Sequence, residues 1–296
     1  MARIAPERST MIEVNRTRLR VWEWGDPDAP AVICAHGAHD HGRMFDELAP
    51  AVADFGFRVV APDLRGHGDS GRLSSGHIWN TAGLDLGLLA QSLGPPVGLI
   101  GHSFGGGLVL FAAGVWPEAV RWVVNIDGLG PPPAALAEGD LVDQATSGFV
   151  ALERVLSRPP RLFDSLAQMA ARRSRSNPRL PQDWLDHLVL HGARQVEGGY
   201  TWKADPLMNV GMPGPFDIDH LEAEFARVQA PTLVLTGAEP DTWGDLDDEA
   251  IDHRVSLIPA AWRQVIAGAG HYVHIEQPAA VLAAIGEFLD EIGGRP

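Results

Sequence analysis

The sequence predicts an α/β fold, a mostly parallel central sheet flanked by helices and interrupted by a helical insert. Three observations predict it. Short β-rich apolar runs alternate with helix-like segments over the first third of the chain, the rhythm of right-handed βαβ units. That rhythm stops at "DGLGPPP" (127–133) for about ninety residues and resumes at "APTLVLTG" (230–237). Finally, 296 residues that are 45% hydrophobic and 21% charged suffice for one large domain with a sizeable core.

The elements follow in order. "LRVWEW" (19–24) alternates like a half-exposed strand, and "AVICA" (31–35) and "RVVAPD" (58–63) are short buried strands. Each of these two is followed by a turn and a helix-like segment, at 43–54 and 81–93. "PVGLIG" (96–101) and "VRWVVNI" (120–126) are two more strands, with a helix at about 104–114 between them. Three consecutive prolines then end regular structure. Residues 134–225 read as helical, rich in Arg and Ala, and are punctuated by "RPP" (158–160), "NPRLP" (177–181) and "MPGP" (212–215). Their large apolar residues, among them Phe149, Phe163, Met169, Trp184, Trp202, Met208 and Phe216, are expected to form mostly a local core, a minority lining a pocket. After 230–237 come a helix or loop, a strand-like run at 263–271 and an amphipathic helix at 278–291. The expected division is a core of 1–133 and 226–296 with a helical insert at 134–225.

The formal charge of −15 argues against nucleic-acid binding and against docking on anionic membranes, both of which need a basic face. The single cysteine, Cys34, excludes an intrachain disulfide and reads as a buried small hydrophobe. The N-terminal stretch has no apolar signal-peptide core, and no run approaches a transmembrane length, so a cytoplasmic protein is expected. A homodimer remains compatible with this reading.

Gly101-His102-Ser103-Phe104-Gly105 fits G-x-S-x-G between a predicted strand and a predicted helix, the context that motif requires. Such a turn strains the serine backbone and projects its hydroxyl from the carboxyl end of the sheet. A serine needs a base, and the base an orienting acid. "AGAGHYVHIEQP" supplies His271 in a late loop of small residues, with His274 as a competitor three residues on. Oxyanion donors are expected from the backbone N–H groups of Phe104 and of Ala38, in "CAHGAHDHG". His36, His39, Asp40 and His41 in that loop are expected to hold it or line a pocket mouth, and no metal is expected.

The motifs "HGAHDHGRMFDELAP", "VVAPDLRGHGDSGR", "GHSFGG", "NIDGLGPPP", "GGYTWKADP" and "AGHYVHIEQP" together make the chain resemble α/β-hydrolase-fold enzymes, in the branch of serine-hydrolase-like proteins, epoxide hydrolases and haloalkane dehalogenases. The resemblance implies a helical cap inserted after the sixth strand. It also implies that Asp63, His67 and Asp69 hold a turn. Epoxide hydrolases and dehalogenases attack with an elbow aspartate. Serine at this elbow favours acyl chemistry.

In many such enzymes the acid follows the strand here read as "TLVLTG", at the position of Pro240, which cannot serve. Glu239 and Asp241 flank it. In the branch resembled, the acid often sits after the strand that follows the elbow helix, where Asp127 stands beside Gly128. Asp127 is the expected acid, Asp241 the runner-up and Glu239 the third. The expected activity is hydrolysis of a small or medium, partly hydrophobic carboxylic ester or lactone through an acyl-enzyme on Ser103, without cofactor. The rivals on this fold are C–C or amide hydrolysis and cofactor-free lyase or oxygenase chemistry. A small-molecule receptor with little turnover is the rival of another class.

Overall fold

The computed structural model describes residues 1–73, 78–131, 141–210, 218–242 and 246–296. Pro132, Pro133, the run at 212–215 and Phe216 lie outside the described residues. Eight strands form one sheet: β1 (Arg8–Val14), β2 (Thr17–Trp24), β3 (Ala31–Ala35), β4 (Arg58–Pro62), β5 (Val97–His102), β6 (Val120–Ile126), β9 (Thr232–Gly237) and β10 (Ala261–Ile266). Their spatial order is β1-β2-β4-β3-β5-β6-β9-β10. β1–β2 and β2–β4 are antiparallel, and every other pairing in this sheet is parallel.

Strand periodicity divides the apolar residues between two faces. Ile33, Val60, Leu99, Val123 and Val234 join the core under helices α2 (Ile78–Ser92) and α3 (Phe104–Val115). Their neighbours Val32, Val59, Ile100, Val124 and Leu235 face α1 (Leu48–Ala53) and the last helix, α8 (Pro278–Glu291). A sheet buried on both faces explains why these strands read as continuous apolar runs.

Between β6 and β9 lie helices α4 (Leu141–Leu156), α5 (Leu166–Ser174), α6 (Gln182–Gly192) and α7 (Ile218–Phe225). Phe163, Met169, Trp184, Leu185 and Leu188 make a core of their own, closed by Met44, Tyr272 and Ile275 from the main body. Phe149 is largely exposed, whereas Met208 joins the sheet core.

Four local expectations are corrected. β1 has no counterpart in the sequence reading. Three of its seven residues are exposed and only Val14 is buried, and it pairs with β2 through Asn15-Arg16, both left-handed at φ 45° and 58°. Arginine is an unusual choice for such a hairpin turn. The segment expected to be wholly helical contains a two-stranded ladder, β7 (Ala193–Val196) and β8 (Gly199–Trp202), turned at Glu197-Gly198. Gly198 (φ +84°) makes that turn possible, and its strands are too short to show a period. The helix expected at 43–54 breaks into a 3-10 turn (Gly42–Phe45) and α1, because Pro50 has no N–H to give the carbonyl four residues back. The run at 263–271 is strand only to Ile266; residues 267–271 form a loop.

Among the described residues no helix is long and apolar enough to cross a membrane.

Candidate active site

The loops that leave β5, β6, β9 and β10 lie side by side at the carboxyl ends of adjacent strands. They carry Ser103, Asp127, Asp241 and His271 respectively.

Ser103 is the N-cap of α3 with φ 52° and ψ −120°, a conformation that costs about 1–3 kcal/mol in a non-glycine residue. Its N–H donates to the Ile126 carbonyl (2.9 Å), and its carbonyl accepts from Gly107 (3.1 Å), so the turn is fixed from both sides. A Cβ on Gly105 would strike the Ala35 carbonyl, so only glycine lets α3 start this close to the end of β3. That approach sets the first-turn N–H groups of α3, which have no intrahelical acceptor, beside the loop holding Ala38. Ala38 and Phe104 are both half-buried there.

Asp127 is also left-handed (φ 48°), and its N–H donates to the Leu235 carbonyl of β9 (2.8 Å). Fully buried Asn125 secures the turn. Its amide nitrogen donates to the carbonyls of Gly106 (3.0 Å) and Gly128 (3.1 Å), and its oxygen accepts from the Gly128 N–H (2.9 Å). One side chain thereby ties the Asp127 turn to the first turn of α3. Buried Arg254 holds the outgoing chain by donating to the carbonyls of Leu129 (3.0 Å) and Pro131 (2.9 Å).

His271 is 8% exposed and held at three points. Its ring Nδ1 lies 2.6 Å from Asp127 Oδ2, so Nδ1–H donates to the carboxylate and Nε2 is the ring nitrogen turned away from it. Its backbone N–H donates to Asp241 Oδ2 (3.1 Å), and its carbonyl accepts from His102 Nε2 (3.0 Å). Asp241 therefore meets the histidine backbone, not its ring. The Glu239 side chain is exposed, and only its backbone N–H is used, on the Ala269 carbonyl (2.9 Å). His274 is buried, with its ring stacked on Phe45 at 5.3 Å.

The residues of the 36–41 loop part ways. His36 Nε2 accepts from the Leu64 N–H (2.9 Å) and its Nδ1–H donates to the Gly37 carbonyl (2.7 Å). Likewise His67 Nε2 accepts from the His39 N–H (3.1 Å) while Nδ1–H donates to the Arg65 carbonyl (3.1 Å). Burial keeps both rings neutral, pushing His36 down to about 3 and His67 well below its usual value. Asp63 accepts from Trp22 Nε1 (3.0 Å) and from the N–H groups of Gly42 (2.8 Å) and Asp69 (2.8 Å). Asp40 is buried, takes Arg173 Nη2 of α5 at 2.6 Å, and accepts from the Tyr272 hydroxyl (3.1 Å). Burial pushes the Asp40 carboxyl up to about 6, against the pull of Arg173. His41 lies elsewhere, donating from Nε2 to the Leu188 carbonyl (3.0 Å).

Among the described residues, the group with metal-ligand spacing is Asp46, His187 and His191. Asp46 is already held bidentately by Arg43 (2.7 and 2.9 Å from Nε), and His187 Nε2 faces the Arg43 carbonyl (2.9 Å). Asp46 and His187 are engaged with protein partners, and His191 packs edge-on against the rings of His41 and His187.

Sequence reasoning missed His102, Asn125 and the Asp40–Arg173–Tyr272 network. Asn125 had a visible signal, a lone amide within the apolar run "VRWVVNI". Arg173 had none, since its partner lies 133 residues away in sequence.

A family model described as "Alpha/beta hydrolase family" matches residues 32–284. Epoxide hydrolase A of Mycobacterium tuberculosis is 28% identical, covering 94% of this chain and 96% of its own length. Serine hydrolase-like protein 2 of Homo sapiens is 27% identical, covering 90% of this chain and 88% of its own. Among solved structures, the thioesterase domain from the curacin biosynthetic pathway superposes with a TM-score of 0.82 at 25% identity, over 94% of this chain and 98% of that one.

Proposed function

The chain belongs to the alpha/beta hydrolase family, and we propose that it cleaves a small or medium, partly hydrophobic carboxylic ester through an acyl-enzyme on Ser103. The observation that carries this reading is the 2.6 Å contact between His271 Nδ1 and Asp127 Oδ2, one strand from a Ser103 held at φ 52°. With Nδ1–H committed to a carboxylate, Nε2 is the base. Ser103 Oγ attacks the ester carbonyl as its proton passes to Nε2, and the oxyanion is held by the N–H groups of Ala38 and Phe104. The tetrahedral adduct collapses, and the alcohol leaves with the proton from Nε2. Water then repeats the sequence and releases the acid. Asp127 orients the ring and stabilises its charged form. Each oxyanion donor is worth about 2.7–4 kcal/mol in reactions of this kind.

A relative is an epoxide hydrolase, but the alkyl-ester route implied by that resemblance needs an elbow carboxylate, and this elbow carries a hydroxyl. In this reading the 134–225 segment acts as a cap over the sheet's carboxyl edge. A fluorophosphonate probe tests the chemistry. Ser103 is expected to be labelled, and Ser103→Ala to abolish both labelling and turnover of 4-nitrophenyl esters. Absence of labelling and of turnover in the wild type would overturn the ester reading in favour of a receptor.

A further inference from the structure

A cavity of about 480 Å³ takes His39 into its wall, one residue from Ala38, and with it Arg72, Arg158, Arg161, Arg172, Arg173 and Arg194. Six arginines line one hollow in a chain whose net charge is −15. Their source is local: residues 151–200 hold eight of the 22 arginines, against five acids.

The described residues supply little to neutralise them. Among them Asp205 is the acid on the cavity wall. Its oxygens already accept from the N–H groups of Leu73 (3.3 Å) and Leu207 (3.1 Å), 3.8 Å from Arg72. Arg173 has Asp40, yet its Nε is buried with no partner among the described residues. Arg158, Arg161, Arg172 and Arg194 pair with no acid among the described residues, and Arg161 instead lies over the Phe163 ring at 5.0 Å. Solvated arginines normally spread over a surface. Here they share a hollow with Val155, Pro159 and Trp202, an apolar lining next to cationic forks. That combination suits a ligand with a short hydrocarbon stem ending in an oxyanion, which guanidinium binds in a planar, bidentate manner.

We infer that this cavity is a subsite for an ionised carboxylate or phosphate, so that the substrate is an ester bearing an acidic group on its non-reacting end. The inference rests on the ester reading above for the bond cleaved, and on the arginine cavity alone for the anion. Arg173 also bridges the two, because the carboxylate it holds, Asp40, belongs to the loop that carries Ala38.

Two measurements test it. Calorimetry with glutarate, propyl phosphate and neutral glutaramide is run on the wild type, on Ser103→Ala and on Arg172→Gln/Arg194→Gln. Both arginines are exposed, so an unchanged melting temperature is expected of the double variant. One of the two anions is expected to bind at least about tenfold more tightly than glutaramide, equally in Ser103→Ala. The preference is expected to weaken about tenfold in the double variant, and to fall as ionic strength rises. Which anion binds identifies the group. In turnover, mono-4-nitrophenyl glutarate (or its phosphate-bearing counterpart, if propyl phosphate binds) is expected to exceed 4-nitrophenyl butyrate in kcat/KM. The double variant is expected to lose that advantage and to keep the butyrate rate. Equal binding of glutaramide, or an unaltered double variant, overturns the anion site even if butyrate is hydrolysed. Arginine-dependent anion binding without turnover of any ester leaves the anion site standing and removes the ester reading.

Discussion

Replacing Asp127 by asparagine separates the two carboxylates near His271. The Asp127 carboxylate faces the imidazole at 2.6 Å, in a contact where the two side chains are 19% and 9% exposed. Charge centres about 4 Å apart, at an effective dielectric of about 20, attract by about 4 kcal/mol. In the proposed mechanism that attraction exists only once His271 has taken the serine proton, so its loss is expected on the transition state, about a thousandfold in kcat. The amide also offers an N–H towards Nδ1, which favours the wrong tautomer and deepens the loss. Asp241→Asn is different. Its carboxylate accepts only the His271 backbone N–H (3.1 Å) among the ring and main-chain groups of that residue, and an amide oxygen still accepts there. A change within about threefold is expected, since one neutral acceptor replaces a charged one at a partly exposed position. Steady-state turnover of a chromogenic ester, with probe labelling to count intact Ser103, measures both. Asp127→Asn activity within tenfold of wild type, or an equal collapse in Asp241→Asn, would refute the assignment.

Two further outcomes concern the scaffold. Asn125→Ala leaves the Gly128 N–H and the carbonyls of Gly106 and Gly128 without their side-chain partner in a fully buried position. It is expected to cost about 2–4 kcal/mol, read as a lower urea midpoint, and to lower kcat more than it raises KM. Acid sensitivity follows from His36, His67, His102 and His274, whose charged forms burial disfavours, His36 and His274 being pushed down to about 3. Unfolded, each takes up a proton near pH 6.5, so below that pH the unfolded state binds more protons than the folded one. Stability is therefore complete above about pH 6.5 and lost as pH falls towards the folded values, by about 1.4 kcal/mol per pH unit for each histidine. Urea midpoints taken at falling pH should show this slope, and His36→Gln should reduce it by the share of one among seven histidines, since burial also disfavours the charged forms of His39, His41 and His191.

Legibility followed the range of the interactions. The buried strands were readable because a sheet covered on both faces demands apolar runs, and the Ser103 elbow because glycine is forced wherever two backbones nearly touch. β1 was not readable: of its core-facing residues only Val14 is buried, with Ile12 half-buried beside it, too short an alternation to announce a strand, and its turn uses Asn15-Arg16 where a glycine would have signalled a hairpin. The β7–β8 ladder failed for a related reason, each strand being four residues long. The arginine cavity was hidden by averaging. A net charge of −15 suggests an acidic surface, and it says nothing of where 22 arginines gather. Folding α4, α5 and β8 towards one hollow is a tertiary event with no local period.

The sequence presents Asp127 and Asp241 as rivals because each stands where an acid can follow a strand. The sheet order gives the two carboxylates different partners on His271. β6 and β9 are neighbours, so their carboxyl-end loops both reach the loop after β10, but at different atoms. Asp127, pinned by its N–H to Leu235 of β9, addresses the ring. Asp241, leaving β9 itself, addresses the main chain of the same residue. His102, beside Ser103, takes the remaining backbone group, the His271 carbonyl. In the loop 267–271 Ala269 packs into the core, but the small residues around His271 bring no large side chain to bear on it. Three polar contacts from the ends of three strands hold His271 itself, one carboxylate on its backbone N–H and the other on its imidazole at 2.6 Å, while Glu239 N–H and Glu276 hold Ala269 and Gly270 beside it.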